Sequence, residues 1–258
     1  MVHGIIGFTA FSVLSSSIYI INDIADVEKD RKHPVKCKRP IASGEVKIHE
    51  AWTLFAMLLL VSVVCNAAVG NKTAWILSVM YFGLNVGYSF GWKNIPLVDI
   101  AILVSGFVMR VIYGSVVTCV PISDWLLLTV LSVSLYMALG KRRNELKRNG
   151  DGQTREVLRA YPVAFLDKTM NMSITMANVF YALWCMSGSS SASASSLIAT
   201  VPVILLLTMR YEMIVEGDSD GDPVEVMVHD KVLIVLSGIY ILAMAVSIYF
   251  LPVGFFCR

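Results

Sequence analysis

The sequence predicts an all-α, polytopic membrane protein built as a helical bundle. Of its 258 residues, 56% are hydrophobic and only 16% are charged, whereas soluble domains carry about 25% charged residues. Residues 169–209 contain no Asp, Glu, Lys or Arg, and this run is about twice as long as the roughly 20 residues that one spanning helix needs. The composition excludes disordered, collagen-like, coiled-coil and secreted disulfide-rich proteins.

Charge-poor stretches predict eight spanning helices within one integral-membrane domain over residues 1–258. Their continuous apolar character excludes barrel strands, in which apolar and polar residues alternate. The neutral run 169–209 divides into two helices because Ser187, Gly188 and the small residues 189–196 favour a turn. The predicted spans are 4–22, 51–71, 73–91, 97–119, 125–140, 168–187, 197–211 and 232–252.

The distribution of basic residues orients these spans. Loops 23–50 and 141–168 carry seven and eight of the 21 Lys and Arg residues, and the positive-inside rule places such loops in the cytoplasm. We therefore expect a multi-pass protein of the cell inner (plasma) membrane with an active site that faces the cytoplasm. The net charge of +2 gives no indication of a nucleic-acid partner, and the sequence leaves a homo-oligomer open.

Three carboxylates follow the first predicted span. Asp23, Asp26 and Asp30 are spaced i, i+3 and i+7, so on a continuous helix they would lie on one face. Such a stack is strongly repulsive unless a cation lies between the carboxylates, and carboxylate oxygens together with substrate phosphates suit Mg²⁺. We predict that these three residues are catalytic and bind Mg²⁺; the alternative is a solvated acidic helix end.

A basic segment follows the carboxylates directly. Guanidinium groups match phosphate oxygens in a bidentate manner, so Arg31, Lys36 and Arg39 are predicted to bind substrate phosphate. Lys32 and Lys38 are explained equally well as charges that hold the loop inside and contact anionic lipid. An acidic ladder followed by a basic arm favours a substrate that carries Mg²⁺ and pyrophosphate.

The pattern Asn22-Asp23-x-x-Asp26-x-x-x-Asp30, followed by Arg39-Pro40 and Gly44, resembles the first aspartate-rich motif of the UbiA-type intramembrane prenyltransferases. The resemblance implies an all-helical fold, usually of nine spans around a central cavity, with Mg²⁺ bound to a pyrophosphate. It adds Asn22 to the substrate-binding residues. Family members usually begin with another helix, so we expect eight spans with that first helix missing.

The second basic loop distinguishes between branches of this family. Members that prenylate aromatic acceptors carry a second DxxxD motif there, and this loop has none, because its only aspartates, Asp151 and Asp167, are 16 residues apart. Instead, residues 140–146 (GKRRNEL) and a later segment from Tyr161 to Asp167 resemble the polyprenyl-phosphate phosphoribosyltransferase branch, known mainly as decaprenyl-phosphate phosphoribosyltransferase. A basic cluster suits an anion rather than a second metal ion, which makes Lys141 and Arg142 candidate phosphate ligands. Topogenic charge is the alternative.

Three further ionisable residues lie near predicted spans. Lys93 belongs to a stretch that also resembles the phosphoribosyltransferase branch, and the resemblance implies substrate binding for Lys93, Tyr161 and Asp167. Ionisable groups within a membrane are costly and usually face the bundle interior. Arg110 is therefore a candidate phosphate ligand and Asp99 a candidate partner for a hydroxyl or a lysine, while a structural pair between helices remains open for both.

These observations predict Mg²⁺-dependent transfer of a 5-phosphoribosyl group from phosphoribosyl pyrophosphate to a polyprenyl phosphate. The acceptor is already anionic, so the reaction needs no strong general base. One alternative is a prenyltransferase that joins a prenyl pyrophosphate to an aromatic or other acceptor. A second is a non-enzymatic transporter, although the ionisable groups cluster at one membrane face rather than at the midplane.

Overall fold

The protein is all-helical in the residues that the computed structural model describes, which are 2–32, 35–149, 156–187, 197–216 and 229–249. Eight long helices occur in these ranges, in the order of the eight predicted spans. They are α1 (Val2–Ala25), α2 (Ile48–Val69), α3 (Lys72–Ser89), α4 (Val98–Thr118), α5 (Asp124–Asn149), α6 (Val163–Ser187), α7 (Val201–Glu216) and α8 (Lys231–Tyr249). The turn expected at 189–196 lies outside the described residues.

Five segments of the described chain are long and apolar enough to cross a membrane by length and composition. They are Val2–Ala25, Ile48–Val69, Val98–Thr118, Asp124–Lys147 and Ile198–Glu216. Lys231–Ser247 forms a shorter apolar helix. The chain is therefore an integral membrane protein, and the number of eight spans stays a prediction.

Several helices extend further than the charge pattern predicted, and α5 and α6 show why. α5 runs to Asn149 rather than ending near residue 140, because the charged tail of the helix is rich in Lys, Arg, Glu and Leu, which are good helix formers. α6 begins at Val163 rather than at 168, directly after Pro162, and proline is well suited to a helix start. Charged residues therefore mark the end of an apolar segment, but the helix itself can continue through them.

The chain forms two compact units, Met1–Ile122 and Ser123–Arg258. In the first unit, α1 packs against α2, α3 and α4, and α3 packs against α4. Its apolar core includes Phe11, Leu14, Tyr81, Met109 and Tyr113. In the second unit, α6 packs against α5 and α7, and α7 packs against α8.

A buried polar network joins the helices of the first unit. The Asn66 Oδ1 atom of α2 accepts hydrogen bonds from the Ser78 hydroxyl of α3 at 3.2 Å and from the Tyr113 hydroxyl of α4 at 2.9 Å. Ser62 donates to the Ala10 carbonyl of α1 at 2.9 Å. Hydrogen bonds of this kind hold helices together in a membrane, where water cannot satisfy polar groups.

Close packing of α1 on α4 depends on Gly7. A Cβ atom at this position would lie 2.5 Å from Val117 Cγ1, and Val117 is a β-branched residue with little rotamer freedom. Gly83 of α3 is a useful contrast, because a Cβ atom there would meet nothing within 4 Å.

We expect Gly7→Ala to destabilise the protein by about 1–3 kcal/mol through overpacking. Gly83→Ala, the matched control, should be neutral or stabilising by up to ~1 kcal/mol because alanine is the better helix former. Thermal unfolding of the purified protein in detergent measures both effects. Adding Val117→Ala to Gly7→Ala should restore much of the loss; an unaltered Gly7→Ala midpoint would contradict the packing argument.

Candidate active site

Asp23 and Asp30 converge on a single cation. The Arg39 Nη1 atom donates to Asp23 Oδ1 and to Asp30 Oδ2, each at 2.8 Å. Asp30 is almost fully buried, with 5% of its surface exposed. Two carboxylates separated by seven residues therefore share one guanidinium nitrogen, which relieves the repulsion that their proximity creates.

The backbone around Asp26 keeps these two carboxylates on the same side. α1 ends at Ala25 and a short helix, Val27–Arg31, begins after Asp26. Hydrogen bonds nevertheless cross the junction, from Asp26 N to the Asn22 carbonyl at 3.0 Å and from Asp30 N to the Asp26 carbonyl at 2.8 Å. The spacing across the junction thus stays close to helical.

The loop that carries Arg39 folds back on α1. A 3₁₀ turn, Lys36–Lys38, precedes Arg39, which is extended and directly precedes the short helix Pro40–Ser43. This helix ends at Gly44 with φ +85°, a left-handed conformation that glycine adopts readily. Buried Val27, Ile41 and Ala51 pack together and hold the loop in place.

Asp26 does not join Asp23 and Asp30. Its two carboxylate oxygens each accept a hydrogen bond from Lys93 Nζ at 2.6 Å. Lys93 lies in a 3₁₀ turn, Trp92–Asn94, between α3 and α4, and only 7% of its surface is exposed. The three carboxylates that were predicted to lie on one face therefore pair with two different cations. Asp23 and Asp30 pair with Arg39, and Asp26 pairs with Lys93, which was predicted to bind substrate.

The remaining predicted residues of this unit have diverse surroundings. Asn22 Oδ1 accepts a 3.4 Å hydrogen bond from Ser89, and Lys36 is partly buried in the turn before Arg39. Arg31 points away from the carboxylates, because its Nη1 atom contacts Glu28 at 2.9 Å and its Nε atom donates to the Ala42 carbonyl at 3.3 Å. Its contacts are those of a residue that braces the loop.

Arg110 and Asp99 lie within α4. Arg110 Nη2 donates to the Tyr81 hydroxyl at 2.7 Å, and its guanidinium lies over the rings of Tyr81 and Phe107. Asp99 is fully buried in the first turn of the helix.

A second cluster occupies α5, α6 and α7 in the second unit. Arg143 Nε donates to Asp167, and Arg143 Nη2 lies 3.7 Å from Glu216. Arg142 is 1% exposed, with Nη1 at 3.0 Å from Glu145. Lys141 is exposed, and within the described chain it forms no ion pair with a carboxylate. Asp167 therefore forms an ion pair with Arg143. Arg143 belongs to the basic cluster of the sequence but was not predicted to be a site residue.

Two buried polar atoms of this cluster, Arg143 Nη1 and the Tyr136 hydroxyl, have no hydrogen-bond partner in the described part of the chain. Tyr161 is buried and stacks on Phe165 with ring centroids 6.3 Å apart. Arg143 was not predicted as a site residue; the signal that could have indicated it is the presence of a basic cluster together with an isolated later aspartate.

An ion pair joins Arg210 of α7 to Asp230, which directly precedes α8. Arg210 Nη2 contacts Asp230 Oδ2 at 2.7 Å, and Asp230 Oδ1 caps α8 by accepting from Leu233 N at 2.8 Å. The hydrogen bond from Arg210 and then that from the Leu233 backbone lower the pKa of Asp230 below its ordinary value. A depressed pKa means that this contact stabilises the fold above the unfolded pKa, about 3.9, and that the contribution is lost as the pH falls through the folded pKa.

The described residues contain no group of three or more His, Cys, Asp or Glu side chains that could hold a metal ion. Asp23 and Asp30 nevertheless present two carboxylates toward one point. Mg²⁺ is commonly held by one or two carboxylates, with waters and substrate phosphates completing its shell. The chemistry of this donor pair fits Mg²⁺ bound together with a phosphorylated substrate.

The model of the UbiA prenyltransferase family matches residues 2–230. The chain belongs to this family. Decaprenyl-phosphate phosphoribosyltransferase of Corynebacterium glutamicum is 35% identical over 255 residues, which cover 96% of this chain and 76% of that protein. The enzyme of the same name from Mycolicibacterium smegmatis is 35% identical over 256 residues, covering 95% and 80%.

Solved structures of UbiA proteins share the fold. A UbiA homolog from Archaeoglobus fulgidus bound to DMAPP and Mg²⁺ superposes with a TM-score of 0.65, at 15% identity, over 96% of this chain and 88% of that one. The family and its relatives identify the chain as a transferase enzyme, and the predicted helical UbiA-like fold is confirmed.

We expect the Lys93–Asp26 ion pair to stabilise the fold as well as to shape the candidate site. Lys93→Met leaves a largely buried carboxylate without its cation and should cost about 3 kcal/mol. Asp26→Asn in the same chain should recover most of that loss, since it removes the orphaned charge. A double-mutant cycle of thermal unfolding without substrate measures the coupling, and additive effects would show that the two side chains do not interact.

Proposed function

We propose that this transferase moves a 5-phosphoribosyl group from phosphoribosyl pyrophosphate to a polyprenyl phosphate. The observation that best supports this proposal is the convergence of Asp23, Asp30 and Arg39. It combines hard oxygen ligands with a guanidinium that can bind phosphate. The two 35%-identical relatives with that activity in their names support the choice of substrates. The proposed location is the inner (plasma) membrane, with the site on the cytoplasmic side, where the positive-inside rule places the basic loops.

Each residue around the two carboxylates has a proposed task. Asp23 and Asp30 hold Mg²⁺, whose presence in the Archaeoglobus fulgidus structure supports the assignment. When bound, Mg²⁺ neutralises charge on the departing pyrophosphate. Arg39 has a nitrogen between the carboxylates and further N–H groups that can contact phosphate oxygens, and Lys36 adds a second cation nearby along the chain. Lys93 positions Asp26.

The chemical step is a substitution at the anomeric carbon. An oxygen of the lipid phosphate forms a bond to that carbon, and the bond between the carbon and the pyrophosphate oxygen breaks with its electron pair leaving on pyrophosphate. The nucleophile is an anion, so no protein base has to remove a proton. Catalysis then rests on positioning the reactants and on stabilising the charge of the leaving group.

In the second unit, Lys141 has no ion-pair partner among the described residues, whereas Arg142 and Arg143 pair with carboxylates. Lys141 is exposed and is proposed to contact a substrate phosphate. Arg142 is buried with a contact to Glu145, so its proposed contribution is to keep the basic segment of α5 in shape. Tyr161 and Asp167 remain proposed substrate contacts. Asp167 would contact the substrate as part of its ion pair with Arg143.

A prenyltransferase that uses a prenyl pyrophosphate remains the second candidate, favoured by the DMAPP in the Archaeoglobus fulgidus structure. The two candidates differ in the donor. Release of pyrophosphate that requires both phosphoribosyl pyrophosphate and a polyprenyl phosphate would support the first proposal. Turnover with a prenyl pyrophosphate and an aromatic acceptor, without phosphoribosyl transfer, would replace it by the second. The transferase relatives do not support the transporter alternative.

Asp23→Asn and Asp30→Asn should each reduce turnover by at least about 100-fold, because a ligand to Mg²⁺ is lost at the leaving group. Glu28→Gln is the matched control: Glu28 lies in the same segment, but its side chain is 74% exposed and pairs with Arg31. Initial rates across a Mg²⁺ titration measure the effect. Asp23→Asn with parental rates at every Mg²⁺ concentration would rule out the metal assignment.

Lys141→Ala should raise the KM for the phosphorylated substrate roughly tenfold to 150-fold, the equivalent of a charge-assisted hydrogen bond of about 1.5–3 kcal/mol. The thermal midpoint should not change, because Lys141 is exposed. Arg142→Ala should show the opposite pattern, a lower midpoint from the loss of a buried ion pair. Steady-state kinetics and unfolding of both variants separate the roles, and a parental KM for Lys141→Ala would remove this phosphate contact.

A further inference from the structure

A cavity of about 450 Å³ lies between α1 and α4 of the first unit. Its size is within the range of about 300–1,000 Å³ that is typical of ligand clefts. Most of its wall is apolar or small, including Phe8, Phe11, Gly114 and Val117. Phe8 is 75% exposed, so the cavity opens at the surface of α1.

Arg110 is the cation in this wall, and among the residues that the structure describes no carboxylate pairs with it. Within the described residues, Arg110 forms no ion pair with a carboxylate; its contacts are the hydrogen bond to Tyr81 and the rings of Tyr81 and Phe107. A guanidinium has five N–H donors, of which one is used here. An arginine inside a spanning helix is costly unless an anion or water meets it, so the cavity is suited to an anionic group.

The Tyr81 hydroxyl positions Arg110. Its oxygen accepts from Arg110 Nη2 at 2.7 Å and from Ser15 Oγ at 3.2 Å. Its own hydrogen has no acceptor among the described residues. Tyr81 is 4% exposed, so its position is held by packing. Tyr81 is not part of the cavity wall, so its hydroxyl acts by holding the Arg110 guanidinium in place at that wall.

We propose that this cavity binds the polyprenyl phosphate acceptor, with its phosphate on Arg110, which Tyr81 positions, and its first isoprene units between α1 and α4. An anionic head with one apolar tail complements both parts of the cavity, whereas a lipid alcohol leaves the arginine without a counterion. The inference rests on the proposed function and assigns the acceptor of that reaction to named residues.

The position along α1 agrees with the proposed substitution. Ser15, which contacts Tyr81, precedes Asp23 by eight residues, or about 12 Å along a helix. The acceptor phosphate would therefore lie deeper along α1 than the carboxylates assigned to the leaving group. This order leaves the pentose between nucleophile and leaving group, as a direct displacement at its anomeric carbon requires.

Binding of short probes to the purified full chain in detergent, without any phosphoribosyl donor, tests the head-group contact. Farnesyl phosphate should bind at least tenfold more tightly than farnesol. Arg110→Gln should abolish this preference, and Tyr81→Phe should reduce it, while farnesol affinity changes little in either variant. Equal affinity of the parent for both probes, or an undiminished preference in Arg110→Gln, would overturn the phosphate assignment.

Matched glycine variants test the tail contact. Gly114 lines the cavity and Gly83 does not, yet a Cβ atom at either position would meet nothing within 4 Å. Gly114→Leu should weaken farnesyl phosphate and farnesol equally, by about tenfold, and Gly83→Leu should weaken neither. Thermal unfolding checks that both variants fold, and Gly114→Val is the smaller replacement if leucine does not. Parental affinity in a folded Gly114 variant would exclude this cavity.

Competition identifies the source of the phosphate. Inorganic phosphate at millimolar concentration and phosphatidic acid with two acyl chains should displace farnesyl phosphate poorly. Efficient displacement by either would show a general anion or phospholipid site and overturn the isoprenoid assignment. Because no donor is present, these results hold whether or not phosphoribosyl transfer is later observed, so failure of this inference is distinguishable from failure of the proposed function.

Discussion

Pairing of the carboxylates at the end of α1 is the constraint on which the rest of the site depends. Asp23, Asp26 and Asp30 together carry three negative charges at a membrane boundary, where their mutual repulsion is poorly screened. Arg39 and Lys93 supply two positive charges at 2.8 and 2.6 Å. These ion pairs therefore hold both the loop after α1 and the turn before α4 against the same helix end.

Polar groups inside the helical part of the first unit fall into two kinds. Asn66 has its oxygen satisfied by Ser78 and Tyr113, so it contributes to packing and has no capacity left there for a ligand. Arg110 lies beside an open cavity and, among the described residues, uses one of its donors, in the hydrogen bond to Tyr81. In a low-dielectric environment, unused donors are costly, and a residue that retains them is better explained by a ligand than by the fold alone.

Several parts of the fold and site were predictable from the sequence because the information is local. Apolar runs predict helices, and the order of the eight helices agrees with the eight predicted runs. The helix ends were less predictable: α5 continues into its charged tail because Lys, Arg and Glu favour helix as well as water. The spacing of Asp23 and Asp30 predicted that their carboxylates lie on one face, whereas their pairing with Arg39 was not predicted, because Arg39 was assigned to substrate phosphate.

The sequence by itself determined the helical membrane class, the acidic motif and the family, because hydropathy and residue spacing express them directly. Only the tertiary structure decided which charge meets which partner. Asp26 pairs with Lys93 across 67 residues, Asp167 pairs with Arg143 across 24, and Arg110 reaches Tyr81 on another helix. Such choices depend on the path of the loops and the packing of distant helices, and a charge in sequence has many possible partners until the fold brings one of them within hydrogen-bonding distance.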